Sequence, residues 1–372
     1  MLPLPSTDRV CLLLVDGLGR ELLAAADPAE APFLRSLLDA GDGRVDDADH
    51  AGARGAPDRA LDAGFPSSTP ISLCSLGTGR TPGEHGIVGF TMHVPPIPEV
   101  LECLAWMRYG GGLDLIETLP PETLQPCEPM FGPAVADGVM ATVVSLDGHI
   151  GTGLTRAALR GAAFDSIPAF DDLDGRLRTV SSRLTGAERA LVYTYDARLD
   201  TAAHVSGVGS SQWLAALRAT DTLASSLARV LPDGALLVIS GDHGGVNVGP
   251  RNRVDLASRP DLARDVAFLT GDPRTRHVHG APGRVDALCE AWRDGLGDEW
   301  LILSRDEVVA AGLLGPTVRS EVLARIGDVV AIALGDGGIF DGDRFPWELR
   351  LAGFHGALTP AELRVPFLVH RA

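Results

Sequence analysis

Four separated segments set Asp and His in positions suited to binding metal: Asp16 in VDGLG, Asp200 and His204 in LDTAAH, Asp242 and His243 in SGDHGG, and His355 in GFHG. Asp200 and His204 stand four residues apart, so a helix puts carboxylate and imidazole on one face, as a mixed oxygen/nitrogen metal site requires. The glycines of SGDHGG permit close approach of backbone and ion. Taken singly, an Asp at a strand end is an ordinary turn or cap residue. Together, six oxygen/nitrogen ligands without a thiolate suffice for two three-ligand sites with open positions for substrate, water or a nucleophile.

A hydroxyl nucleophile is available in FPSSTPISLCSLGTG, where Ser67, Ser68 and Thr69 precede an apolar helical segment. Such hydroxyls commonly cap a helix by accepting from its first N–H groups. The same helix start also offers those N–H groups and a positive dipole end to a phosphate. A Ser or Thr hydroxyl is a weak nucleophile until a metal favours its alkoxide. No lysine exists to act as base instead: all 32 basic residues are arginine, which also excludes Schiff-base chemistry and a P-loop.

These residues need a scaffold, and the chain supplies an alternating one. Val10–Val15, Met140–Ser145, Leu191–Tyr195 and Ala235–Ser240 read as strands, and polar residues gather past their carboxyl ends, where open α/β sheets place their sites. Leu214, Leu217, Leu223, Leu227 and Leu231 recur at helical spacing, predicting an amphipathic helix on the sheet. The fold expected is α/β, a mostly parallel sheet flanked by helices. The core is assigned to residues 1–250 and 319–372, and an inserted smaller cap to 251–318, with the main sheet resuming near Ile326–Leu334 and ending at Phe367–Val369. The 372 residues suffice for a large core, and 45% hydrophobic content with a mean hydropathy of +0.13 reads as globular. A net charge of −17 argues against a nucleic-acid polymer as partner. Apolar runs such as VCLLLV have strand length and predict no membrane span. Five scattered cysteines, none in CxxC spacing, and the lack of an export-signal pattern lead to the expectation of a reducing cytoplasm.

FPSSTPISLCSLGTGRTPGEHGIVGF resembles the nucleophile segment of the nucleotide pyrophosphatase/phosphodiesterase family of the alkaline phosphatase superfamily. VDGLG, YDARLDTAAHVSGVG, SGDHGG and GFHGALTPAELRVPFLV resemble its metal motifs, in the same order over nearly the whole chain. The resemblance implies an alkaline-phosphatase-like fold with Thr69 as nucleophile. It assigns one metal to Asp200, His204 and His355, and a second to Asp16, Asp242 and His243 with Thr69. Zinc is the implied ion, and the His/Asp mix permits it. The implied reaction is hydrolysis of a small, nucleotide-like phosphodiester or pyrophosphate through a phospho- or nucleotidyl-threonine. Ser67 and Ser68 then revert to capping.

The sequence departs from the family pattern in two places. Where well-known members carry a phosphoryl-binding Asn, this chain has Phe90, leaving the Thr69 backbone N–H as a candidate donor. Pro70 replaces the aromatic residue that often follows the nucleophile. Tyr195 matches another family stacking position, and Phe90, Trp106 and Tyr109 are candidates for a leaving-group pocket. His277 and His279 in RHVHG are expected to be exposed cap residues, with a third metal site or substrate contact as the alternative. His85 is expected to support the loop after the nucleophile, and His149 to contact substrate or close a turn. His50, His93 and His370 receive no role. A sulfatase is disfavoured, because it needs a Cys/Ser-x-Pro-x-Arg context and Thr69 is followed by Pro70, Ile71, Ser72 and Leu73, with Ile71 and Leu73 where the Pro and Arg would stand. A phosphomonoesterase of the same superfamily, or a silent binding protein, is the alternative reading.

Overall fold

In the computed structural model, which describes residues 4–43 and 60–372, the predicted strands assemble into one seven-stranded sheet. Its strands are β1 (Arg9–Val15), β2 (Ala60–Asp62), β3 (Met140–Leu146), β4 (Ala163–Ile167), β5 (Ala190–Asp196), β6 (Leu236–Gly241) and β11 (Arg364–Arg371). The order is β2-β11-β6-β1-β5-β3-β4; β11 runs antiparallel to both its neighbours, and the other pairings are parallel. His50 lies outside the described residues.

The central strands are buried on both faces, so their sequences read as near-continuous apolar runs. Cys11, Leu13 and Val15 of β1 enter one core with Leu217, Leu223 and Leu227 of the predicted amphipathic helix, which spans Ser211–Val230. Leu14 faces the opposite core, with Ile71 and Cys74 of helix α1 (Thr69–Thr78). Successive side chains of one strand thus serve the two layers of helices.

The second sheet is four-stranded and contains β7 (Val266–Asp272), β8 (Thr275–Gly280), β9 (Trp300–Ser304) and β10 (Val329–Ala333), in the order β7-β8-β10-β9, all antiparallel. Here the sequence expectation needs correction: β10 does not resume the main sheet but pairs with β8 and β9, and the chain returns to the main sheet only at β11. The region expected to form the inserted cap shares its core with the rest of the chain. Val278, Val330 and Trp292 join Leu14, Ile71 and Ile87 in one continuous core. Among the described residues no helix is long and apolar enough to cross a membrane.

Candidate active site

Register places the first candidate ligands. Val15 of β1 lies level with Asp196 of β5 and Gly241 of β6, so the residues just beyond, Asp16 and Asp242, emerge side by side. Helix α2 (Arg198–Ser206) begins two residues past β5 and carries Asp200 and His204 over the same rim, with His204 Nε2 3.2 Å from Asp200 Oδ2. Gly17 makes this approach possible. Its φ is +74°, and a β-carbon there would stand 2.9 Å from Asp200 Cβ.

Thr69 opens helix α1, with its hydroxyl 3.1 Å from His243 Nε2 and 3.5 Å from Asp16 Oδ1. His243 Nε2 lies 3.3 Å from Asp16 Oδ1 and 3.6 Å from Asp242 Oδ2. The loop before β11 brings in His355, whose ring stacks on His243 at 3.6 Å and whose Nε2 is 4.0 Å from Asp200 Oδ1. Donor atoms of Asp16, Asp242 and His243 fall within 4.8 Å of one another, as do those of Asp200, His243 and His355. His243 therefore stands between the two expected half-sites. His204 reaches the cluster through Asp200 and lies 5.2 Å, ring to ring, from His355.

The donor set suits divalent cations for a reason visible in the imidazoles. Nδ1 of His204, His243 and His355 lies 2.8 Å from the carbonyl oxygens of Gly353, Gly244 and Ser67 respectively. A carbonyl only accepts, so each Nδ1 carries the hydrogen, and each Nε2 is turned to the carboxylates. Without an ion, the Nε2 of His204 and of His243 faces its carboxylates as a protonated donor, since, against burial, Asp200 lifts the first imidazole and Asp242 and Asp16 the second; a bound cation would take that proton's place, and such outer hydrogen bonds orient metal-binding histidines. Asp242 Oδ2 is buried without a hydrogen-bond partner, while Oδ1 accepts from the backbone N–H groups of Gly17 and His243.

Protons feel the same crowding. Burial, reinforced by Asp16, pushes the Asp242 carboxyl up to about 8. Burial opposes charge on His204, but Asp200 outweighs it and lifts that imidazole to about 9. His355 is driven well down by burial and by the neighbouring histidines His243 and His204.

A model of the type I phosphodiesterase / nucleotide pyrophosphatase family matches residues 10–357, an interval that includes all seven of these residues. The chain belongs to this family. Membership supports a hydrolase acting on phosphodiester or pyrophosphate bonds; the family is metal-dependent, and the clusters described above are candidates for holding metal. Among solved structures, murine ectonucleotide pyrophosphatase/phosphodiesterase 5 is similar with a TM-score of 0.71 at 16% identity, covering 97% of this chain and 88% of that one. An inactive form of the murine protein in complex with AMP matches with the same TM-score at 15% identity, covering 98% and 88%. The human protein gives 0.70 at 16%, covering 97% and 87%. At that identity the likeness carries the fold. No curated protein matches the sequence.

Around this family centre several expected residues take other places. Tyr195 is buried, and its hydroxyl donates to Asp16 Oδ2 while its ring meets His149 and Phe170. Trp106, expected as a candidate for a leaving-group pocket, is instead 0% exposed, with its indole N–H donated to the Leu119 carbonyl. Phe90 and Tyr109 are half-buried and meet edge to face at 5.9 Å, and Tyr109 also packs on Phe345 and Trp347, two aromatics that no sequence motif marked.

Ser67 and Ser68 do not cap α1. Pro70 removes the N–H at the helix's second position, and both hydroxyls turn elsewhere. Ser67 Oγ donates to the Ala357 carbonyl and accepts from Gly356 N–H, bracing the His355 loop. Ser68 Oγ donates to Asp272. His85 shares a 3.0 Å hydrogen bond with Ser75 of α1 and accepts from Ile87 N–H, supporting the loop as expected. His277 and His279 are buried rather than exposed, because β8 lies inside the cap sheet and packs against the shared core. Neither falls in a metal-binding group among the described residues.

Proposed function

We propose that this chain hydrolyses small, nucleotide-like phosphodiesters or pyrophosphates, with Thr69 as the nucleophile and two metal ions, zinc by donor chemistry, in the Asp/His cluster. The observation that carries the reading is the orientation of the three imidazoles, each pinned at Nδ1 by a backbone carbonyl and turned at Nε2 to the carboxylates and the Thr69 hydroxyl. Asp200, His204 and His355 would hold one ion, and Asp16, Asp242, His243 and Thr69 the other. Bound there, the ions would favour the Thr69 alkoxide and offset charge on the leaving oxygen.

Thr69 Oγ attacks phosphorus in line as the bond from phosphorus to the leaving oxygen breaks, and in the overall balance the hydroxyl proton ends on that leaving oxygen. Water then attacks the phosphothreonine, restoring the Thr69 hydroxyl and releasing a phosphate ester. Pro70 contributes no N–H, so the Thr69 amide is the donor offered to a phosphoryl oxygen at this helix start. A nucleotide substrate is supported by the structural neighbour whose inactive form holds AMP. Phe90 and Tyr109, continued by Phe345 and Trp347, offer a wall to the leaving group.

The test is hydrolysis of a nitrophenyl phosphodiester beside the matching monoester, with zinc, for wild type and Thr69→Ala. Diester preference lost by at least a thousandfold in Thr69→Ala supports the reading, in the range expected when a nucleophile is removed. Monoester preference would make the chain a phosphatase. Unchanged turnover in Thr69→Ala would remove Thr69 as nucleophile, and a metal-free, inert wild type would point to a binding role.

A further inference from the structure

The cap places a carboxylate beside this site that neither the metal ligands nor the nucleophile accounts for. Asp272 ends β7, where the hairpin to β8 turns toward the nucleophile. Its Oδ1 accepts the Ser68 hydroxyl at 3.1 Å, one residue before Thr69, and its Oδ2 accepts Phe90 N–H at 3.4 Å. Its Cβ lies 2.8 Å from where a side chain on Gly356 would begin, so it also abuts the residue after His355.

Asp272 is 3% exposed, and a carboxylate taken from water without a cation is costly. Two arginines of the same hairpin could have neutralised it. Arg274 pairs instead with Glu362, and Arg276 with Glu348. Arg276 and His243 therefore offset the Asp272 charge only through space, and the hairpin holds that carboxylate against the nucleophile turn without a direct ion pair to either of its arginines.

We propose that Asp272 is a specificity-determining residue whose charge disfavours dianionic phosphate monoesters relative to monoanionic phosphodiesters, and helps expel the dianionic product. The inference rests on the hydrolytic reading above. A fixed negative charge repels a dianion more than a monoanion. An interaction of about 1.4 kcal/mol with one further unit of charge, modest for charges in a protein site, corresponds to about a tenfold difference.

The test uses the full, zinc-loaded chain. For wild type and Asp272→Asn, kcat/KM is measured on a nitrophenyl phosphodiester and on the monoester. Orthophosphate binding is measured by calorimetry in the Thr69→Ala background, a readout independent of turnover. Burial pushes the Asp272 carboxyl up to about 7, so the work is done near pH 9, about two units higher, where it is ionised. Asp272→Asn should raise the monoester-to-diester ratio about tenfold and tighten orthophosphate binding by a similar factor. Ser68→Ala removes the hydrogen bond but keeps the charge, and should leave the ratio within about threefold, the ordinary scatter of such comparisons.

An unchanged ratio and unchanged orthophosphate binding in Asp272→Asn overturn the proposal, as does an equal loss on both esters, which would make Asp272 a mere brace. Should Asp272→Asn not fold, Asp272→Ser carries the same expectation. A wild type inert on both esters overturns the hydrolytic reading and this inference with it. Diester turnover with an unchanged ratio overturns the inference alone.

Discussion

At the scale of single residues, the site is a set of donors each held by a second atom, and Tyr195 shows how that is tested. Its hydroxyl fixes Asp16 Oδ2, leaving Oδ1 toward His243 and Thr69. Tyr195→Phe should weaken metal binding about 10- to 100-fold, as loss of an outer hydrogen bond to a ligand does, with the fold retained. Competition with a chromogenic chelator reads this directly, and unchanged affinity would show Asp16 to be held by other contacts. The gathering of the candidate ligands was legible because LDTAAH, SGDHGG and VDGLG encode their placement locally, in helix spacing and strand-end turns. The work of Ser67, Ser68 and Tyr195 was not. Their partners, Ala357, Asp272 and Asp16, lie far away in the chain, and no local pattern records such pairings.

At the scale of elements, the main strands and the long helix formed where their apolar periodicity placed them. The exception was β10. Its run VVAIA is buried on both faces, and such a run shows that a strand exists without showing which sheet it joins. Its neighbour β8 carries two histidines that burial keeps neutral. His277 is pushed down to about 4 from 6.5, and His279 to about 3, each mainly by burial. His277 Nδ1 accepts Gly327 N–H, a bond that protonation would displace. Because the folded values lie below the unfolded one, this contribution is fully present above pH 6.5 and is lost as pH falls from 6.5 toward 4 and 3. Urea unfolding should show stability falling in that window by roughly 1 kcal/mol per pH unit for each histidine. His279→Leu should flatten the slope, and an unaltered slope would place the acid sensitivity elsewhere.

At the scale of the whole molecule, cap and core act as one body. The buried Arg274–Glu362 pair joins the cap hairpin to the segment after His355, where Glu362 Oε1 also accepts Ala357 N–H. Arg274→Ala would strand a buried carboxylate and should cost about 3–5 kcal/mol in urea unfolding. Replacing both partners, Arg274→Met with Glu362→Leu, should recover most of that loss, and equal damage in the double variant would argue that shape rather than charge matters there. Sequence alone suggested an inserted smaller cap at 251–318 because its Arg/Asp-rich composition differs from the sheet's, and apolar side chains of that region pack into the core under α1.

The three carbonyls that pin His204, His243 and His355 have one further implication. They belong to the main chain, and substitution of a side chain cannot delete a carbonyl. A lineage can therefore exchange nearly everything around such a centre while the rings keep their aim, so long as the loops keep their course. This offers a physical route by which one catalytic architecture outlasts the sequence that first specified it.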